Sequence, residues 1–140
     1  MNSKVTVCVP ASTANLGPGF DCLALALDLW NQATFSFSGE GIQIEVLGEG
    51  SGNIPENQKN LVARAALYLF KKQEQPMPSG LKITCINKIP LGSGLGSSAA
   101  ACLSGLMGAN ALLGSPVSTS DLLRMSCELE GHPDNSAAAM

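Results

Sequence analysis

Residues 87–105, "NKIPLGSGLGSSAAACLSG", decide how the chain is read. Gly92, Gly94 and Gly96 fall at every second position. Ahead of them "LKITCI" (81–86) alternates apolar and polar as a half-buried strand does. Behind them, from Ser97, "SSAAACLSGLMGANALL" reads as a buried helix of small residues. A flexible linker would have no regular element on either side, whereas here a strand enters and a helix leaves. Glycine lets backbone N–H groups come close to a ligand and tolerates positive φ. A helix N-terminus adds unpaired N–H donors and a partial positive charge. Together they describe an anion site of the kind that holds phosphate. Ser97 and Ser98 lie in the first turn, where hydroxyls can cap the helix or reach a phosphate oxygen or a bound Mg²⁺. A tight turn with serine caps uses the same residues and stands as the alternative. No GK[ST] follows the glycines, so this is not a Walker A loop. The third glycine also comes too early for a GxGxxG fingerprint.

Working outward, "KVTVCV" (4–9) alternates, with Val5, Val7 and Val9 on one face. "PASTANLGPGFDCL" (10–23) is rich in Pro, Gly, Ser and Asn and predicts a loop. "LALALDLW" and "ATFSFSG" read as strand, as does "IQIEVLG" through Ile42, Ile44 and Val46. "EGSGNIPENQ" predicts a turn-rich connection. Asn60 is a candidate N-cap for "LVARAALYLFKK", with Lys71 and Lys72 suited to its C-terminal end. Gly114 and Pro116 stop the helix that begins at Ser97. Ser118 with Asp121 resembles a capping box for "DLLRMSCELEG". The final "SAAAM" reads as the first turn of another helix. The order of strands, helix, strand, helix, helix predicts an α+β or α/β domain.

The bulk properties narrow the function. The chain has 140 residues, 45% of them hydrophobic, which is enough for one domain with a real core. Only 14% are charged, so part of the surface is expected to be covered by a partner or a further domain. A net charge of −3 and 4% aromatics argue against nucleic-acid binding. Cys8, Cys22, Cys85, Cys102 and Cys127 are widely spaced, without a CxxC pair, among apolar or small neighbours. They predict buried, reduced thiols. No signal-peptide core and no membrane-length apolar run is present, so the expected location is cytoplasmic with no membrane partner.

Three motifs carry a resemblance. "PLGSGLGSSAA" (90–100) is similar to the phosphate-binding loop of the GHMP small-molecule kinases, whose form is Pro, three residues, then Gly-Leu-Gly-Ser-Ser-Ala. The resemblance implies a ribosomal protein S5 domain 2-like N-terminal domain and an ATP site. The site comprises Pro90, Leu91, Gly92, Ser93, Gly94, Leu95, Gly96, Ser97, Ser98, Ala99 and Ala100, with Ser98 near Mg²⁺ and the γ-phosphate. "VPASTANLGPGFD" (9–21) offers an amide and a carboxylate on a stiff turn, suited to orienting an amino or hydroxyl group. An Asx-type turn bonding only to backbone is the alternative. The segment resembles the substrate loop of the homoserine-kinase branch, which implies that Asn15 and Asp21 face homoserine. "ELEGHPDN" (128–135) could supply a Mg²⁺ ligand and substrate contacts; a surface or capping His132 is the alternative. Its likeness to the compact bacterial form implies Glu130 as metal ligand, with Glu128 as the other candidate. It further implies His132 on homoserine and Asn135 near the transferring phosphate, with Asp134 supporting the loop. Asn60 in its "KNL" setting is implied to contact adenine while also serving as N-cap. Lys88 reads as a solvated strand-end lysine or a nucleotide contact.

The activity so implied is transfer of a phosphoryl group from ATP to the hydroxyl of L-homoserine, with Mg²⁺ and on the route to threonine. Asp21 is the nearest candidate for a general base by type. The resemblance spans residues 1–140 as a GHMP N-terminal domain. Family enzymes are about twice this length, so a C-terminal domain is expected beyond the chain. Weak ATP binding and poor turnover are then expected of these residues alone. A homodimer fits the family. Another GHMP kinase of the mevalonate type and a non-catalytic S5-like domain are the competing readings.

Overall fold

The computed structural model describes residues 3–140, apart from the side chains of Phe20 and Asp21. The elements run β1 (Lys4–Leu16), β2 (Gly19–Ser36), β3 (Gly41–Gly48), α1 (Leu61–Lys72), β4 (Gly80–Asn87), α2 (Ser97–Leu112), α3 (Thr119–Glu130) and α4 (Asp134–Ala139). The four strands form one mixed sheet in the order β1-β2-β4-β3. β1–β2 and β2–β4 are antiparallel, while β3 and β4 are parallel and joined through α1. The architecture is α+β. Among the described residues no helix is long and apolar enough to cross a membrane.

The strand periods read from sequence set the core. Phe35, Ile44, Val46, Leu81, Ile83 and Cys85 project from the sheet onto the helices and are buried. From α1 come Val62, Ala65, Ala66, Leu69 and Phe70, and from α2 Cys102, Leu106, Ala109 and Leu112. α2 can lie at the centre because two of its positions are glycine. A Cβ at Gly105 would overlap the Val62 carbonyl of α1, and one at Gly108 would overlap the Phe35 ring of β2. Both helix caps predicted from sequence are present. Asn60 Oδ1 accepts from Val62 N at 2.9 Å, and Ser118 Oγ accepts from Asp121 N at 3.2 Å. Asp121 in the first turn of α3 also suits the helix dipole.

Two expectations are corrected. The segment from Pro10 to Leu23 is not a loop but the far half of a long hairpin, whose turn is Gly17 and Pro18 alone. The turn-forming residues fit because the ladder is irregular. It shifts register between Pro10 and Ala11, and again between Ala14 and Leu16; bulges of this kind accommodate residues that a regular ladder rejects. The cysteines are not all buried either. Cys85 and Cys102 are, Cys127 is half-buried, and Cys8 and Cys22 are exposed. Cys8 follows the alternation of β1 and faces away from Val7 and Val9. The last helix starts earlier than its alanines suggest, at Asp134.

Candidate functional site

The glycine loop is held at its entrance by a side chain that no motif revealed. Asn31 on β2 is buried, and its Oδ1 accepts from the backbone N–H of Lys88 at 2.7 Å and of Ile89 at 2.9 Å. Ile89 is fully buried and anchors the loop to the core. Ser93 Oγ donates to the Pro90 carbonyl at 2.8 Å and tightens the turn. Gly92, Gly94 and Gly96 have φ of 64°, 75° and 71°, the left-handed region in which a side chain is strained. Gly96 is the N-cap of α2, and no side chain caps that helix. The serine-cap alternative is therefore not what the loop does. Ser98 Oγ instead lies 2.8 Å from each carboxylate oxygen of Glu130. A cavity of about 250 Å³ opens over the loop, bounded by its glycines and serines and by Glu130, His132 and Asn135.

The 128–135 motif borders this cavity, and the 9–21 motif is hydrogen-bonded to the 128–135 motif. Ser12 of β1 donates its backbone N–H to the Leu95 carbonyl at 2.9 Å, and its Oγ to Asn135 Oδ1 at 3.1 Å. Asn15 has φ 58° at the second bulge, and Asn15 Nδ2 donates to Asp134 Oδ2 at 3.2 Å. The Asn15 side chain thus bonds across the site to Asp134 as well as shaping its own turn region. A cavity of about 230 Å³ between Asn15, Cys22, Ala24, Pro133 and Asp134 adjoins this contact. The backbone of Asp21 lies in β2, while its side chain lies outside the described residues. His132 is exposed and borders the loop cavity.

The two candidate glutamates have different surroundings. Glu128 points to α1, where Tyr68 donates its hydroxyl to it and Lys72 Nζ lies 3.2 Å away. The Tyr68 bond first, then Lys72, holds its carboxyl below the usual range. Glu130 points to Ser98 and the loop. Among the described residues no group of three or more His, Cys, Asp or Glu could hold a metal. A Ser98 hydroxyl and one carboxylate are hard oxygen ligands. They suit Mg²⁺, which commonly takes one or two carboxylates and completes its shell with phosphate oxygens and water. Among the described residues bordering the loop cavity there is no Lys or Arg, so the donors that face an anion there are backbone N–H groups at the start of α2 and the side chains of Ser97, Ser98 and Asn135.

On the other side of the loop a mainly apolar cavity of about 340 Å³ shares Gly92, Ser97 and Ser98 with the first. Its walls include Ile54, Pro55, Asn60, Leu61, Cys85 and Leu91, a setting for a planar apolar group attached to the anion. Asn60 is buried here. Besides capping α1 it donates from Nδ2 to the Pro55 carbonyl at 2.9 Å, so it shapes this wall as well as facing it. Pro90 is half-buried, Leu91 exposed, and Ala99 and Ala100 buried in the first turns of α2. A further cavity of about 520 Å³ lies around Phe37, Phe70 and Met77 and shares no residue with the site. Sequence reading missed Ser12 and Asn31. Each is a polar residue among strand neighbours, and its role depends on a partner distant in the chain.

Comparison with known proteins identifies relatives of the chain. Residues 60–140 match the family described as GHMP kinases N terminal domain. The chain is 50% identical over 138 residues to a homoserine kinase of Synechococcus sp., covering 98% of this chain and 45% of that protein. It is 45% identical over 140 residues to a homoserine kinase of Corynebacterium diphtheriae, again 45% of that protein. It therefore spans about half the length of these relatives. Among solved structures, a homoserine kinase from Cytophaga hutchinsonii superposes with a TM-score of 0.83 at 33% identity, over 98% of this chain and 46% of that one. The Methanococcus jannaschii mevalonate kinase gives 0.76 at 18% identity over 99% and 51%, a likeness of fold alone. The S5-like α+β arrangement expected from the loop is the one these neighbours share. With the family match extending over residues 60–140, loop included, the chain belongs to the GHMP kinase N-terminal domain family.

Proposed function

We propose that this chain supplies the nucleotide-binding side of an enzyme that transfers the γ-phosphoryl group of ATP to the side-chain hydroxyl of L-homoserine. The observation that carries the reading is that three separated segments are hydrogen-bonded to one another around the glycine loop. Ser12 bonds to Asn135, Asn15 to Asp134 and Ser98 to Glu130, and the loop, Glu130, His132 and Asn135 border one cavity. Homoserine as acceptor is supported by the relatives that carry that activity in their names.

The residues divide the work by position. Loop and α2 N–H groups hold the phosphates, and the apolar cavity beside Asn60 and Leu91 takes the adenine. Mg²⁺, when bound, neutralises phosphate charge and fixes phosphate orientation. Ser98 and Glu130 are the side chains that would hold it. Asn135 donates its amide N–H groups to the phosphoryl oxygens as charge builds there. Asn15, Asp21 and His132 orient the homoserine, with Asp21 assigned to accept the hydroxyl proton as the O–P bond forms and ADP leaves. Positioning and charge neutralisation account for most of the rate in such transfers. A cytoplasmic location goes with the proposal.

The test is ADP release by the enzyme of which this chain forms the nucleotide-binding side, measured in parallel with L-homoserine and mevalonate as acceptors. Homoserine-dependent release supports the reading. Release that prefers mevalonate, or is indifferent to either alcohol, overturns it. Binding of a fluorescent ATP analogue to the chain tests the nucleotide half independently.

A further inference from the structure

We infer that Ser12 is a positioning residue that sets which face of the Asn135 amide meets the transferring phosphoryl group. This rests on the proposed phosphoryl-transfer reading and deepens it. Ser12 is fully buried yet polar, and no motif gave it a function. Its hydroxyl donates to Asn135 Oδ1, and its backbone N–H to Leu95 of the glycine loop. A side-chain amide has one accepting and one donating end. With Oδ1 accepting the Ser12 proton, the donors of the amide lie at its Nδ2 end, and Asn135 borders the loop cavity. A phosphoryl group needs donors. An amide turned the other way would offer it an oxygen and repel it.

Gly96 makes the contact possible. A Cβ at that position would overlap Ser12 Oγ and crowd the Asn135 side chain. The third glycine of the loop thus has a second task besides its left-handed backbone. It leaves room for a hydroxyl from β1 to reach across to α4. One buried serine therefore links the three segments on which the site is built.

The test uses the whole chain labelled with ¹⁵N-asparagine and ¹⁵N-glycine, the Asn135 side-chain pair being identified by its loss in Asn135→Asp. The probe is Mg²⁺ with a non-hydrolysable ATP analogue. In the wild-type chain the backbone signals of Gly92 and Gly94 and the Asn135 Nδ2 pair should all move on titration. In Ser12→Ala the glycines should still move, with an affinity within about threefold of wild type, while the Asn135 pair loses its response. Ser12→Cys, of similar shape and a poor donor, serves if the alanine variant is unstable. It should show the same split, and Ser12→Thr, which keeps the hydroxyl, should restore the response. Glycines that move while the Asn135 pair is indifferent to Ser12→Ala and Ser12→Cys would overturn this inference alone. Glycines that fail to move in the wild-type chain would overturn the nucleotide reading and this inference with it.

Discussion

Replacing Asn31 with alanine is predicted to destabilise the fold well beyond the loss of one surface polar group. The wild-type side chain accepts two backbone N–H groups, Lys88 N and Ile89 N, the second of them buried. Alanine leaves both without that acceptor. An unsatisfied buried donor costs roughly 1–3 kcal/mol, and the partly buried one less, so the sum is about 2–4 kcal/mol. For 140 residues the unfolding entropy is roughly 0.3 kcal/mol/K, which converts this loss to a Tm lower by about 7–14 °C. Asn31→Asp keeps an acceptor for both donors and should lose clearly less than alanine. Calorimetry of the two variants reads both values. The order matters as much as the size, since alanine must be the worse substitution. A Tm change for Asn31→Ala under about 3 °C, or aspartate worse than alanine, would refute the claim that this side chain anchors the loop entrance.

Three further outcomes follow from other parts of the fold. Gly96→Ala combines a left-handed backbone with overlap on Ser12, whereas Gly94→Ala meets open space and bears the backbone strain alone. Strain of this kind costs about 1–3 kcal/mol, so thermal unfolding should show Gly96→Ala clearly the less stable. Equal Tm values would contradict the Ser12 contact. Burial pushes the thiols of Cys85 and Cys102 up to about 11, with Ser126 partly opposing this at Cys102. The folded chain therefore favours the neutral thiol. That contribution to stability is complete below the unfolded value near 9 and is lost as pH rises towards 11. Urea midpoints should fall more steeply over this range in wild type than in a chain with both cysteines replaced by alanine, and parallel curves would refute the assignment. At pH 8 a thiol reagent should modify Cys8 and Cys22 in the folded chain and reach the buried pair only on unfolding.

The sequence was most legible where local chemistry decides structure. The alternating strands, the Asn60 and Ser118 caps and the strand–glycine–helix order of residues 81–112 are each set by near neighbours, and each is present. The segment from Pro10 to Leu23 misled because its residue types favour turns, while its conformation is imposed by pairing along a bulged hairpin. Cys8 misled similarly: its neighbours are apolar, but the period of the strand turns it outward. At the site, the three motifs could be recognised separately, yet their meeting could not. Ser12 to Asn135 joins residues 123 apart, and Ser98 to Glu130 joins residues 32 apart. Nor did spacing distinguish Glu128 from Glu130. The difference lies in which face of α3 each occupies, one towards Tyr68 and Lys72, the other towards the glycine loop.

That difference gives the most direct test of the central claim, that the glycine loop with Ser98 and Glu130 holds metal-bound nucleotide phosphates. Titration of a fluorescent ATP analogue, with and without Mg²⁺, is compared for the wild-type chain, Glu130→Gln and Glu128→Gln. The account predicts tighter binding with Mg²⁺ in the wild type, loss of that gain in Glu130→Gln, and its retention in Glu128→Gln. No binding by the wild-type chain, or a Mg²⁺ gain that survives Glu130→Gln, would contradict it.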